Sequence, residues 1–396
     1  MTDIGKKTVR DVDVAGKTVL VRADLNVPLD RGTVADDTRI RESLPTIQYL
    51  LDQGAKVIVC SHLGRPNGRD EALSLAPVAG RMGNLMNREV LFVEDCVGEE
   101  VQQAVDDMAQ NQVLLLENLR FYKQEEANDS DFARQLAAPA DLFVNDAFGT
   151  AHRAHASTEG VTHYLPAVAG FLLETEVRYL KALVEDPPKP FAAVIGGAKV
   201  STKIPAIEHL LPRLDMLLLG GGMANTFLKA DGFDVAMSFV EDEQVEAAKR
   251  ILAQARDQGL EVHLPRDVVA AERFEEKSGS RTVPVDHVPR GYMILDIGPE
   301  TVKEYARALR RANAVVWNGP MGVFEWSKFA GGSHGIAKAI AGLKEATTVV
   351  GGGETAAVVA ELGLADQFTH VSTGGGASLE MLEGRELPGV AALEDA

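Results

Sequence analysis

Six short apolar runs in the second half of the chain each stop at glycine or at Gly-Pro, and this narrows the possible folds more than any other feature. They read AAVIGGAK, LLLGGGMAN, MILDIGP, VVWNGPMG, TVVGGGET and HVSTGGGAS. Unbroken apolar runs of this length predict strands of parallel sheets, whose two faces are both covered. Glycine just past a strand lets bare backbone N–H groups come close to an anion. In open parallel sheets, ligands bind outside the carboxyl ends of the strands. One glycine tip says little. Six in series predict a site built from backbone and suited to a polyphosphate.

The first half has the same layout with different tips. TVLVRADLN, KVIVCSHLGR, VLLLENLRF and LFVNDAFGTAHR end in Arg22, Asp24 and Asn26, then His62 and Arg65, then Arg120, then Asp146 and Arg153. The chain as a whole carries a formal net charge of −18, so arginine and histidine gathered at one sheet edge are informative. Arginine presents a planar fork that matches carboxylate and phosphate. The first half therefore reads as a small-anion site and the second as a nucleotide-phosphate site.

A chain of 396 residues suits two domains of similar size. Its acidic balance argues against nucleic acid or an anionic membrane as a partner. Cys60 and Cys96 cannot form a disulfide framework and read as free thiols of a reducing cytosol. The N-terminal MTDIGKKTVR lacks the apolar segment of a signal peptide, and no run approaches the ~20 apolar residues of a membrane span. The expectation is a cytoplasmic protein, whose single-copy domain plan suits a monomer.

Strand and helix patterns alternate throughout, as in βα units. Helices are expected at Glu42 to Gln53, at Asp129 to Ala137 with Asp129 or Ser130 starting it, at Leu172 to Val184, and at Glu241 to Gln258 with Gly259 closing the last. Three prolines within Glu185 to Pro190 mark the domain boundary, giving domains 1–185 and 186–386. The pattern leaves the tail 387–396 free either to pack on the first domain or to lie loose. No repeat links the two halves at the level of sequence.

Taken singly, Arg39, Arg65, Arg120, Arg153 and His62 are ordinary loop or surface residues. As a set at strand ends they would repel one another unless an anionic ligand neutralised them. Asp24 and Asn26 lie on the same rim. In the second half, Lys199 and Lys203 are four apart and would share one face of a helix opening near Ala198, close to its positive N-terminus. GGGETA, at Gly351 to Ala356, fits the dinucleotide pattern G-x-G-x-x-G/A only formally. The next strand ends in Ser372 and Thr373 rather than in the acidic residue that pattern requires. A Walker A motif does not occur. Glu354 is either a first-turn acid favoured by the helix dipole or a ligand for Mg2+ on nucleotide phosphates.

RADLNVP, SHLGRP, LENLRF, DAFGTAHRAHAS, GGAKVSTK, GGGMANTF, LDIGP, WNGPMGVFE and VSTGGGASLE occur in this order over essentially the whole chain. In these nine blocks the sequence resembles the phosphoglycerate kinase family. The resemblance implies an α/β fold of two Rossmann-like domains with mainly parallel sheets, joined by a hinge across a cleft. It implies reversible phosphoryl transfer between 1,3-bisphosphoglycerate and ADP, giving 3-phosphoglycerate and ATP, by direct in-line transfer after domain closure. Carried over by motif, phosphoglycerate would be bound by Asp24, Leu25, Asn26, Arg39, His62, Leu63, Gly64, Arg65, Arg120 and Arg153. The Mg2+-bound nucleotide would be bound by Gly197, Lys203, Gly221, Gly222, Leu295, Asn318, Pro320, Glu325, Gly352, Gly353, Glu354 and Thr355, with Glu354 at the metal. Arg39, Lys199 and the backbone of Gly374 to Gly376, Gly375 above all, would surround the transferred group. Two positions depart from the family's habit: Glu354 stands where aspartate is usual, and Ile294 where glycine is common.

This chemistry accounts for the lack of a Ser–His or His–Asp pair. A carboxylate nucleophile is already ionised at neutral pH and needs no general base. A dehydrogenase fails on the missing acidic residue. An anion-binding protein without chemistry fails to explain lysines and a metal candidate in the opposite half.

Overall fold

The structure, a computed structural model, describes residues 3–396. The chain forms two compact units, one ending at Arg178 and completed by Glu386–Ala396, the other spanning Tyr179–Arg385. The division falls within the helix Phe171–Glu185, upstream of the proline cluster.

Unit 1 is built on strands β1 (Thr18–Arg22), β2 (Lys56–Cys60), β3 (Val90–Val93), β4 (Val113–Leu116), β5 (Leu142–Asn145) and β6 (Ala167–Ala169). They form one parallel sheet in the order β3-β4-β2-β1-β5-β6. The four apolar runs expected as strands are β1, β2, β4 and β5; β3 and β6 are strands beyond that expectation. Val19 and Val21 enter the core on one face, and Leu20 on the other face is equally buried. The helix expected at Glu42 opens earlier, and spans Thr38–Asp52 with Pro45 inside it. Of the two starts expected, Asp129 is the one that caps Ser130–Ala137, its carboxylate accepting from the Phe132 N–H at 2.9 Å. The tail is packed on this unit. Lys7 N donates to Glu394 O at 2.9 Å, Glu394 N to Ala167 O at 2.9 Å, and Asn145 Nδ2 to Gly389 O at 2.8 Å.

Unit 2 contains β7 (Phe191–Ile195), β8 (Met216–Leu219), β9 (Glu261–His263), β10 (Asp267–Ala271), β11 (Ser280–Pro284), β12 (Met293–Ile297), β13 (Ala314–Asn318), β14 (Thr347–Gly351) and β15 (His370–Val371). Six of these make a parallel sheet ordered β9-β8-β7-β13-β14-β15. Among the parallel strands alone this is the doubly wound dinucleotide-fold order, which reverses direction between β7 and β13.

One expectation is corrected here. MILDI is not a strand of the parallel sheet: as β12 it pairs antiparallel with β10 in a separate sheet ordered β11-β10-β12. Its residues are as buried as those of a parallel strand, because other elements cover this small sheet. Burial on both faces produces the same apolar run in either setting, so the run cannot report strand direction. The helix expected from Glu241 begins only at Val245, after a single 3-10 turn.

Candidate active site

In unit 1 the residues following β1, β2, β4 and β5 come together at the carboxyl edge. Chain direction alone brings this about, since all four strands are parallel. The rim is knitted by polar contacts. Asn26 Oδ1 accepts from Gly64 N at 2.9 Å, and Ser61 Oγ from Leu25 N at 2.9 Å. The fully buried Asn118 grips the His62–Gly64 turn, accepting from Leu63 N at 3.1 Å and donating to Leu63 O at 2.7 Å. Leu25 and Leu63 turn their side chains into the core, so only their backbone faces the rim. Gly64 sits at φ +63°, where a Cβ would press on Leu73 at 2.9 Å.

The cationic set is only partly unpaired. Arg39 is bonded to Asp24, and Arg120 lies 3.4 Å from Glu126 while donating to Gly64 O at 2.8 Å. Arg65 and Arg153 have no carboxylate partner among the described residues. Burial pulls the Arg120 pKa down, with Arg153 and Arg22 adding to that effect. His62 is held well below its ordinary pKa, first by burial and then by Arg22, Arg120 and Arg39. It is therefore a neutral imidazole at physiological pH.

Two strand-tip residues have structural roles. Asp146 is fully buried and accepts from Leu172 N at 2.9 Å and Leu173 N at 3.2 Å, capping the helix Phe171–Glu185. Arg22 is also buried; it contacts His62 rather than solvent.

In unit 2 the glycine tips do two different things. Gly197 N donates to Pro320 O at 2.8 Å and Gly221 N to Met321 O at 2.9 Å, so these N–H groups are already used. Glycine is required there because backbones cross. A Cβ on Gly221 would lie 2.6 Å from Gly197 N, and one on Gly319 (φ +94°) would collide with the Gly196 carbonyl. The tip of β14 is different. Gly352, at φ +92°, opens the helix Gly353–Glu361, which has no side-chain cap. Its first N–H groups are the available anion donors. Beside it, the buried Asn318 receives Lys203 Nζ on Oδ1 and leaves Nδ2 without a partner. Thr355 turns its hydroxyl away, accepting from Gly319 N at 2.7 Å, and so offers only backbone.

The two lysines do not share a helix face. The helix after β7 spans Ile204–Leu210, with Lys203 at its N-cap and Lys199 in the preceding loop. Pro205 sets the helix start at Ile204, because its ring suits the first helical turn. Burial pulls the Lys203 pKa down, while Glu354 and Glu383 oppose the fall.

A cleft of about 580 Å3 runs from these tips to an apolar end. Gly197, Lys199, Gly221, Gly222, Leu295, Pro320, Glu325 and Glu354 border it; Lys203, Asn318, Gly352, Gly353, Thr355 and Gly375 do not. Gly375 is the N-cap of Gly376–Leu382, at φ +44°. The sequence reading missed the apolar lip: Met237, Phe239 and Phe274 are 64%, 54% and 62% exposed and all border the cleft. Exposed large apolar side chains gathered at one opening mark a binding surface. No local pattern announces them, since they lie in loops. Ile294 borders the cleft, but it packs into a small core with Leu228, Val235, Val268 and Val285, which leaves Leu295 beside it at the slot. Glu354 is exposed and forms no hydrogen bond or salt bridge among the described residues.

Parallel sheets with charged tips in one unit, and glycine tips beside an apolar slot in the other, define a class: an α/β phosphotransferase. The comparisons narrow it. The model of the phosphoglycerate kinase family matches residues 9–385, and the chain belongs to that family. It is 56% identical over 400 residues to a phosphoglycerate kinase of Microcystis aeruginosa, covering 99% of this chain and all of that one. It is 54% identical to a cytosolic phosphoglycerate kinase of Triticum aestivum, covering 98% of each. The solved phosphoglycerate kinase of Coxiella burnetii superposes with a TM-score of 0.88 at 41% identity, over 98% of each chain.

Proposed function

We propose that the glycolytic reaction of this family, reversible phosphoryl transfer between 1,3-bisphosphoglycerate and ADP, is divided here between two separately built sites. Phosphoglycerate binds the rim of Asp24, Asn26, Arg39, His62, Arg65, Arg120 and Arg153. The nucleotide binds the 580 Å3 cleft of unit 2. The observation that carries this reading is the polarity of that cleft, apolar at Leu295 and Phe274 and cationic at Lys199 on its glycine-lined side. A flat base and a polyphosphate together match such a slot.

Mg2+ would arrive on the nucleotide phosphates and be held by Glu354 and water. Mg2+ keeps several waters and is held through substrate phosphates and one or two carboxylates, of which Glu354, exposed at the cleft and unpaired among the described residues, could supply one. When bound it supplies positive charge to the phosphate oxygens. Arg39, Lys199 and the Gly374–Gly376 backbone would stabilise the transferred group, with no base required. Transfer is direct and in line, following closure driven by both ligands. The active form is a monomer of the cytoplasm, the compartment in the name of the cytosolic relative from Triticum aestivum.

The test is a coupled assay with ATP and 3-phosphoglycerate, measuring ADP and acyl phosphate, run beside small-angle scattering with each ligand singly and with both. Acyl phosphate formation and compaction only with both ligands are expected. No acyl phosphate, or full compaction with one ligand, would overturn the reading.

A further inference from the structure

The neutral histidine of the phosphoglycerate rim is held from behind by a buried guanidinium. Arg22 is 1% exposed, at the last position of β1. Its three nitrogens are all engaged: Nε donates to Ser157 Oγ at 2.8 Å, Nη1 donates to Ala23 O, and Nη2 meets His62 Nδ1 at 3.1 Å. Ser157 passes the contact on, donating from Oγ to Glu125 Oε1 at 2.6 Å, while its N–H donates to Oε2 at 3.0 Å. Glu125 is itself fully buried and supplies the nearby negative charge.

A guanidinium has donors and no acceptor, and it stays protonated in proteins. Its partner on His62 must therefore be an acceptor, so Nδ1 bears no proton. In a neutral imidazole the single proton then sits on Nε2. We infer that Arg22 is a positioning residue: it fixes His62 as the neutral Nε2–H tautomer, so that His62 meets the substrate anion as a hydrogen-bond donor without charge. This rests on the proposed place of His62 in the phosphoglycerate site.

The groups facing His62 act in the same direction. Arg22 from β1, Arg120 after β4, Arg39 from the helix Thr38–Asp52 and His155 after β5 all disfavour the imidazolium, in addition to burial. Glu125 lies nearer Arg22 and His155, with His155 Nδ1 at 3.8 Å from Glu125 Oε1. Adding a proton to His62 would force two donors, Arg22 Nη2 and Nδ1–H, against each other. The arrangement gives a donor whose state does not change across physiological pH, beside arginines that supply the charge.

The experiment is 15N NMR of histidine-labelled full-length protein, with His62 assigned by difference against His62→Gln, from pH 5 to 8. Wild type should show an unprotonated Nδ1 and a protonated Nε2 throughout, and 3-phosphoglycerate should shift Nε2. In Arg22→Gln and Ser157→Ala, His62 should lose the single tautomer and titrate closer to its ordinary value. The KM for 3-phosphoglycerate should rise about five- to tenfold and become dependent on pH, with the KM for ATP unchanged. A protonated Nδ1 or an imidazolium in wild type at pH 7 overturns the inference, even if the variants do not fold. So does an Arg22→Gln protein that keeps the wild-type tautomer and KM. An Nε2 that ignores 3-phosphoglycerate despite the expected tautomer instead overturns the placing of His62 at the substrate, and the positioning role with it.

Discussion

In the function proposed above, the two units solve the same problem, holding a multiply charged anion at the carboxyl edge of a parallel sheet, with different materials. Unit 1 uses side chains. His62, Arg65 and Arg153 stand on loops, Arg120 in a 3-10 turn and Arg39 on the helix Thr38–Asp52, and some of the charge is offset internally, by Asp24 against Arg39 and Glu126 against Arg120. Unit 2 uses backbone. Its loops cross so closely that glycine is required, and its donors are the uncapped N–H groups after Gly352 together with Asn318 and Lys203. Side-chain charge gives strong, directional recognition of a small ligand but needs desolvated arginines to be held in place. A backbone cradle costs little charge and tolerates a ligand bound mainly through an apolar base. The two should therefore fail in different ways when damaged.

The largest expected effect is on unit 1. Arg39→Ala should lower turnover ~100–1000-fold while leaving nucleotide affinity near wild type, since one charge-stabilising donor is lost. Steady-state kinetics with an independent ADP titration would check this, and unchanged turnover removes Arg39 from the transfer step. Next comes the backbone of unit 2. Gly319→Ala places a Cβ against the Gly196 carbonyl at a positive φ, and should cost about 2–3 kcal/mol of stability with a raised KM for ATP. Urea unfolding and ATP kinetics measure both. If 3-phosphoglycerate binding weakens as much as ATP binding, the contrast between the units does not hold.

Glu354→Gln should raise the Mg2+ needed for half-maximal rate several-fold and spare phosphoglycerate affinity, whereas Glu354→Asp should retain most activity. A magnesium titration of the coupled assay at fixed ATP decides this. A Gln variant that titrates like wild type reduces Glu354 to a helix-start acid.

At neutral pH the smallest effect on turnover lies in the pH dependence of stability, and it has opposite signs in the two units. His155 in unit 1 is pulled down to about 4, by burial first and then by Arg120 and Arg22. The unfolded chain therefore binds more protons than the folded one between that value and the ordinary 6.5 of histidine, and this contribution to stability is lost as pH falls through the window. Asp296 in unit 2 is pushed up to about 8 by burial, against the ordinary 3.8 of an aspartate. Here the folded state binds more protons, and stability is lost as pH rises through that window. His155→Gln should thus be less costly at pH 5 than at pH 7.5 by about 2 kcal/mol, and Asp296→Asn less costly at pH 7.5 than at pH 5 by up to about 3 kcal/mol. Unfolding curves at the two pH values test the signs. The same sign for both variants would mean that the two burials do not act as described.

Much was legible in the chain itself. Apolar runs bounded by turn residues identify buried strands, because a strand covered on both faces has no polar alternation to show. The tip residues follow from the runs, and parallel direction carries Asp24, His62, Arg120 and Arg153 to one edge. Asp129 as a helix cap, and the glycines after β7, β8, β13 and β14, are equally local signals. What remained hidden depends on partners distant in sequence. The antiparallel pairing of β12 with β10 leaves no mark on either run, since strand direction belongs to the pair. Lys199 and Lys203 have helical spacing, yet the helix starts only at Ile204. The glycine tips look alike, but crossing loops consume the N–H groups of Gly197 and Gly221 and leave those after Gly352 free. Met237, Phe239 and Phe274 become a cleft lip only once their loops are folded together. Arg22 looks like one more rim cation until burial turns it inward, where a donor-only group against Nδ1 decides which nitrogen of His62 carries its proton. Sequence determines what each segment can bury; tertiary structure decides which groups that burial brings into contact, because hydrogen bonding and desolvation act across space rather than along the chain.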